Sequence, residues 1–314
     1  MPLSPQSSSP KLRALDAFRD ALVCYSQKNF AEALKLGALA ANYQPDNIVY
    51  REAVTYLERV TREGKSNVYV APEAFGTFIR GGGNVPLYDN TSAALKRIYE
   101  SYPSLSLLDI GTGDGMALLP ALTPNIRQLD VLEPSLAMLS QTTAALNARH
   151  IAHHAINATV QQVMQTGLGN FDVIQSTFAL QSVPPDERPS VLAWLRAHTQ
   201  RLVIAEFDAP LIPSMFSDSR VGYFVERYER GLAEYAGDNS RVAQGFLMPV
   251  FFGGFDHSEA RVNWEMPIAD WIGLLEAVGF VDVRRQPVFD YWWATAYLID
   301  ARTDARGDAH VGHG

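Results

Sequence analysis

Nine residues constrain this chain more than any others: Leu107-Leu108-Asp109-Ile110-Gly111-Thr112-Gly113-Asp114-Gly115. An apolar run that ends in an acid and passes into a loop with glycine at every second position reads as a strand turning tightly into a helix. The glycines clear side chains from the backbone, so a ligand can approach it closely. In a parallel α/β sheet, ligands sit beyond the carboxyl ends of the strands. The segment therefore predicts an α/β fold with a ligand loop at Gly111, Gly113 and Gly115.

The residues that follow keep the same grammar. Short apolar runs at 105–110, 129–133, 151–156, 171–176 and 202–207 alternate with helical stretches starting near Gly115, Pro134, Thr159 and Pro185. Strand–helix–strand at this spacing implies parallel pairing with right-handed crossovers. Helical stretches near 217–235 and 268–278 come next, then strands near 281–285 and 293–299.

Upstream, Leu12, Leu15, Phe18, Leu22 and Tyr25 recur at helical spacing. Residues 25–47 resemble one tetratricopeptide repeat, with small Gly37 and Ala40 letting two helices approach and Pro45 opening the next helix. A lone repeat cannot bury its own face. Two expectations follow: the segment packs as a helical cap on the catalytic domain, or it docks a protein partner or a second copy of the chain. Gly81-Gly82-Gly83 begins a loop running to Tyr88, followed by a helix over 91–102. The expected organisation is disorder over 1–10, a helical cap over 11–104, a ligand-binding catalytic domain over 105–300 with an aromatic-rich insert at about 208–265, and a disordered tail over 301–314. His310 and His313 fall in that tail.

Composition narrows the function. The 314 residues carry a formal net charge of −8, which disfavours a nucleic-acid partner. Residues are 47% hydrophobic and 19% charged, as in a globular protein, and no apolar run is long enough to cross a membrane. The amino terminus has no signal-peptide pattern, and Cys24 is the single cysteine, so a cytoplasmic location is expected. No metal constellation is evident.

Two cofactor classes compete for the glycine loop. A dinucleotide motif needs G-x-G-x-x-G and bare amides for a pyrophosphate. Here position 116 is Met, and Asp109 and Asp114 bracket the loop with charge that would repel a pyrophosphate. The same acids suit a ligand with a sulfonium and an ammonium, which describes S-adenosylmethionine (SAM). The next strand ends at Glu133, 18 residues after Gly115, where a carboxylate can accept both hydroxyls of a ribose. The alternative role for Glu133 is to cap the helix that follows it.

With these motifs in place, residues 105–300 resemble the class I SAM-dependent methyltransferases of the small-molecule type. The resemblance rests on LLDIGTGDG, on VLEPS around Glu133, on Ile156-Asn157-Ala158, on FDVIQSTFALQS (171–182) and on LEAVGFVDVR (275–284). It implies a Rossmann-like seven-stranded sheet in the order 3-2-1-4-5-7-6, with strand seven antiparallel. It also implies that Asn157 and Ala158 meet the adenine, and that the backbone near Gln175 and Ser176 meets the methionine amino group. Tyr88 joins the expected cofactor set from the loop before the first strand.

Substrate groups in such proteins come from segments before the first strand and after the fifth. Tyr223, Tyr228 and Trp292 are therefore expected to line a substrate pocket, since aromatic faces suit cationic or apolar ligands. His257, in a glycine-flanked loop, and Asp208, closing the fifth strand, are the expected catalytic groups. The implied activity is methyl transfer from SAM to a small molecule of secondary metabolism, with a nitrogen or oxygen nucleophile ahead of carbon. One alternative is an enzyme that closes SAM's own aminobutyrate arm to azetidine-2-carboxylate and releases methylthioadenosine. The other is a non-catalytic SAM-binding scaffold that docks a partner through its helical repeat.

Overall fold

The computed structural model describes residues 9–65, 72–212, 214–235, 239–256, 258 and 261–304. In chain order the elements are α1 (Pro10–Ser26), α2 (Phe30–Tyr43), α3 (Ile48–Glu63), α4 (Pro72–Ile79), α5 (Asn84–Glu100), β1 (Leu105–Ile110), α6 (Leu118–Ala121), β2 (Ile126–Leu132), α7 (Leu136–Ala148), β3 (His154–Ile156), α8 (Val160–Thr166), β4 (Phe171–Thr177), α9 (Arg188–His198) and β5 (Thr199–Phe207). There follow α10 (Asp218–Ala233), α11 (Asn239–Val242), α12 (Met248–Gly253), α13 (Ile268–Ala277), β6 (Val281–Asp290) and β7 (Thr295–Arg302). They form two compact units, one of residues 1–85 and 212–261, the other of 86–211 and 262–314.

The second unit is a seven-stranded sheet in the order β3-β2-β1-β4-β5-β7-β6. β1, β2, β3, β4 and β5 pair in parallel, and β7 runs antiparallel to both β5 and β6. The central strands are apolar on both faces because helices cover both. On one face, Leu108, Ile174, Leu202 and Ile204 pack with Leu195, Trp271 and Leu275. On the other, Leu107, Val173 and Val203 pack with Leu95, Tyr99 and Leu139. This is the Rossmann-like methyltransferase topology that the family resemblance implies. The third strand is shorter than expected. Residues 151–153 lie outside it, following a turn in which His150 has a φ of 55°.

In the first unit the helical segment and most of the insert form one core, whereas the sequence suggests a cap over 11–104 and an insert at about 208–265 in the domain that follows. α10 and α12 pack on α3, and α10 also meets α1. Phe252 stacks on Tyr56 with centroids 4.7 Å apart and lies equally close to Tyr25, while Phe251 meets Phe18 at 5.7 Å. The apolar faces of α1 and α3 are thus covered by the insert of the same chain. Gly37 allows the close approach: a Cβ there would lie 3.0 Å from Leu57 Cδ1.

The triple-glycine run has a similar cause. Gly83 N donates to Glu234 Oε2 at 2.8 Å, and a Cβ on Gly82 would lie 2.9 Å from the Tyr235 hydroxyl. The predicted loop ends early, because α5 begins at Asn84; Pro86 is tolerated there since a first-turn N–H needs no helical partner. The carboxyl end also differs: Ala301 and Arg302 belong to β7, and Thr303 N donates to Gln200 O at 3.1 Å. Most of the two expected disordered ends (residues 1–8 and 305–314, with His310 and His313) lies outside the described residues, as does His257.

Candidate functional site

The glycine loop leaves β1 at the carboxyl edge of the sheet. Gly111, Gly113 and Gly115 adopt φ values of 69°, 58° and 82°, the left-handed region that side chains resist. The three do different jobs. A Cβ at Gly111 would overlap that of Ala179, just beyond β4, and one at Gly115 would lie 2.8 Å from Leu119. A Cβ at Gly113 would meet nothing within 4 Å, so Gly113 is where backbone faces open space.

Glu133 closes this cradle from β2. It is 8% exposed. Its Oε2 accepts from Gly113 N at 3.0 Å and its Oε1 from Ser135 N at 2.8 Å. Each oxygen keeps a further lone-pair direction for an incoming hydroxyl. The helix cap expected as an alternative role belongs to Ser135, whose hydroxyl accepts from Met138 N. Asn157 lies exposed beside Glu133, its amide donating to the carbonyls of Glu133 and Pro134 at 2.9 and 3.0 Å; Ala158 is half-buried. Asn157 thus fixes the β2 turn, and that amide is committed to protein carbonyls.

Asp109 is almost wholly buried. Gln175 Nε2 donates to its Oδ1 at 3.0 Å, and the Tyr99 hydroxyl donates to Gln175 Oε1. Burial pushes the Asp109 carboxyl up to about 6, with the Glu133 charge adding to the effect against hydrogen bonds that lower it. Gln175 and Ser176 therefore sit one step deeper than expected. Both are ladder residues of a strand paired on each side, and Ser176 Oγ donates to Ile110 O at 3.0 Å. Beyond Ser176, half-buried positions begin at Thr177, the last residue of β4, and Phe178 just after it.

Phe178 is a functional candidate that the sequence pattern does not single out. Its φ of 54° is strained for an aromatic side chain, a condition that clusters at ligand sites. The ring stacks on Phe207 at 4.7 Å and meets the edge of Tyr88 at 6.0 Å; Phe207 stacks in turn on Tyr291 at 5.4 Å. Burial, with the Asp114 charge adding to it, raises the Tyr88 hydroxyl to about 12. An aromatic directly after the fourth strand is the signal that could have found Phe178.

The expected catalytic and substrate residues fare differently. Asp208 Oδ1 accepts from Ile268 N at 2.8 Å, so one oxygen of the carboxylate holds the positive end of α13. Tyr228 is 3% exposed, between Phe224 and Phe251 in the core of the helical unit. Tyr223 is half-buried in that unit under Arg227, whereas Trp292 is buried in the sheet unit between Tyr291 and Trp293. Neither unit holds all three residues. Glu206, near the carboxyl end of β5, is 1% exposed and accepts from Gln181 N at 3.0 Å. Burial drives its carboxyl up to about 8; Glu265 adds to this and the Gln181 bond opposes it. Arg188, close by, donates to the carbonyls of Val183, Gln181 and Trp264. Among the described residues, no His, Cys, Asp and Glu cluster is arranged to hold a metal ion.

No protein-family model matches this chain, and no curated protein does. Solved structures do. Magnesium protoporphyrin IX methyltransferase from Synechocystis PCC 6803 with S-adenosylhomocysteine bound is 13% identical, with a TM-score of 0.50 over 81% of this chain and all (100%) of that one. The same enzyme with SAM bound is 11% identical, with a TM-score of 0.49 over 81% and 97%. The 1,6-didemethyltoxoflavin-N1-methyltransferase of Burkholderia thailandensis is 17% identical, with a TM-score of 0.45 over 69% and 77%. The likeness establishes the fold: the sheet unit is a methyltransferase-type Rossmann-like domain.

Proposed function

We propose that the protein is a SAM-dependent methyltransferase acting on a small molecule. The observation that carries this is the Gly113–Glu133 pair: a backbone cradle facing open space, closed by a buried carboxylate with acceptor capacity left over. The donor set fits SAM better than a dinucleotide. The loop offers Asp109, Asp114 and Glu133 and no cation, which suits a ribose and positive charge and repels a pyrophosphate. The solved enzymes of this fold with bound SAM or S-adenosylhomocysteine agree with that reading. SAM supplies a sulfonium methyl carbon open to in-line displacement.

The chain's part is positioning and exclusion of water. Glu133 receives the ribose hydroxyls, Gly113 lets the backbone come close, and Asn157 holds the turn beside the adenine. Tyr88, Phe178 and Phe207 form an aromatic cluster, a setting that favours a sulfonium. The acceptor is a metabolite nucleophile, nitrogen or oxygen ahead of carbon. The commitment of Asp208 to α13 favours a second reading as well. Cyclisation of SAM's own arm needs no co-substrate, and S-adenosylhomocysteine against methylthioadenosine as product separates the two. A scaffold docking through the helical repeat draws no support, because the insert occupies that face.

The test is calorimetry and thermal melting with SAM, S-adenosylhomocysteine and NAD. A ligand present at about 100 times its dissociation constant adds roughly 2.7 kcal/mol of stability. We expect stabilisation by the first two and none by NAD. The reverse pattern would overturn the proposal.

A further inference from the structure

A cleft of about 420 Å³ lies in the sheet unit between the carboxyl-terminal half of α5 and the β5–β7–β6 edge. Its apolar floor is Ala94, Ile98 and Leu298, each at most 8% exposed. Its rim is cationic: Arg97 from α5, Arg201 from β5, Arg302 from β7 and Arg284 from β6. The protein as a whole carries a net charge of −8, so this concentration runs against the general surface.

The sheet register makes the cluster costly. Arg201 and Arg302 are directly opposite in the β5–β7 ladder, which puts like charges on one face. Among the cleft's lining residues Asp300 is the one carboxylate. It takes Arg201 in a fork at 2.7 and 2.6 Å, and Asp282, outside the lining, takes Arg284 at 2.7 Å. Arg97 is exposed and makes no ion pair among the described residues.

We infer that this cleft binds a phosphate-bearing small molecule, its dianionic or more highly charged group across the arginine rim and its body on the apolar floor. Guanidinium forks match phosphate oxygens in pairs, and a group with several anionic oxygens can meet arginines from more than one strand at once. The volume is that of a small-ligand site. Its place is distinct from the glycine loop. Arg201 is level with Val173 and hence with Leu107, four residues short of Gly111, or about 13 Å back along the strand direction.

Inorganic pyrophosphate is the probe, followed by calorimetry and phosphorus NMR on the full chain. We expect binding that weakens as salt is raised. Arg97→Gln should weaken it about tenfold, the scale of one lost charge-assisted hydrogen bond. Arg97→Gln/Arg302→Gln should abolish it, while Glu133→Gln leaves it unchanged. Because Arg97 is exposed, its single variant keeps the fold, and melting without ligand checks that. Saturating S-adenosylhomocysteine should not displace the probe. Absence of binding at millimolar pyrophosphate, equal affinity in the Arg97 variant, or displacement by S-adenosylhomocysteine would each refute the site. None of these results depends on whether the protein transfers methyl groups.

Discussion

Glu133 ties two backbone amides together while facing a cradle, so its removal should be felt twice. Glu133→Ala frees Gly113 N and Ser135 N, at a cost of about 1–3 kcal/mol in stability. It should also weaken SAM binding at least tenfold, because charge-assisted acceptors for the ribose are lost. Glu133→Gln keeps one acceptor oxygen and should fall between. Calorimetry and melting on both variants check this; an Ala variant with reduced stability and unaltered affinity would remove Glu133 from the site. The glycines separate the same two effects. Gly111→Ala drives a methyl into Ala179 and should destabilise by more than about 2 kcal/mol on the scale of overpacking added to left-handed strain. Gly113→Ala has room, so its stability cost is only the strain of about 1–2 kcal/mol. Its main consequence should be lost affinity, read by titration at a temperature where both variants are folded.

Among the elements, α12 shows how the helical unit holds together. Phe252 meets Tyr25 and Tyr56 at 4.7 Å and Phe251 at 5.6 Å, and is fully buried. Phe252→Ala should cost about 3–5 kcal/mol. Hydrogen exchange should then rise first in α1 and α3, and equal protection there would show that α12 is not what seals them. The aromatic richness of the insert is plain in the sequence, but its partner is not. Periodicity shows that a face is apolar and cannot say which apolar face it meets. The sheet is easier to read, since short, mainly apolar runs such as Leu105–Ile110 belong to strands covered on both sides. At the site, Glu133 and the glycine loop are legible because a strand end and a turn are local features. The depth of Gln175 and the engagement of Asp208 are not, because both depend on partners at Asp109 and Ile268, remote in sequence. Phe178 escapes notice because its strain is a property of backbone rather than of residue type.

Across the whole molecule, two buried carboxyls set a pH dependence. Asp109 is raised from 3.8 to about 6 and Glu206 from 4.5 to about 8, chiefly by burial. Each holds its proton more tightly folded than unfolded. Their contribution to stability is therefore complete below their unfolded values of 3.8 and 4.5, and it is lost as pH rises through about 6 and then about 8. A tenfold difference in proton affinity between the folded and unfolded chain is worth about 1.4 kcal/mol, so a loss of roughly 1–3 kcal/mol across the window is expected after relaxation. Glu206→Gln should flatten the upper part of that profile in melting experiments from about pH 5 to 9, and an unchanged slope would mean that Glu206 ionises freely. The division of the chain has a consequence for its synthesis. The helical unit is made of 1–85 and 212–261, with most of the sheet unit encoded between them. A ribosome releases α1, α2 and α3 more than a hundred residues before the segment that covers them. Phe18, Tyr25 and Tyr56 must wait through that interval without Phe251 and Phe252 over them, and apolar surface left uncovered in this way is what makes nascent chains aggregate and recruit chaperones. Helices made before the sheet unit are thus completed only after most of it.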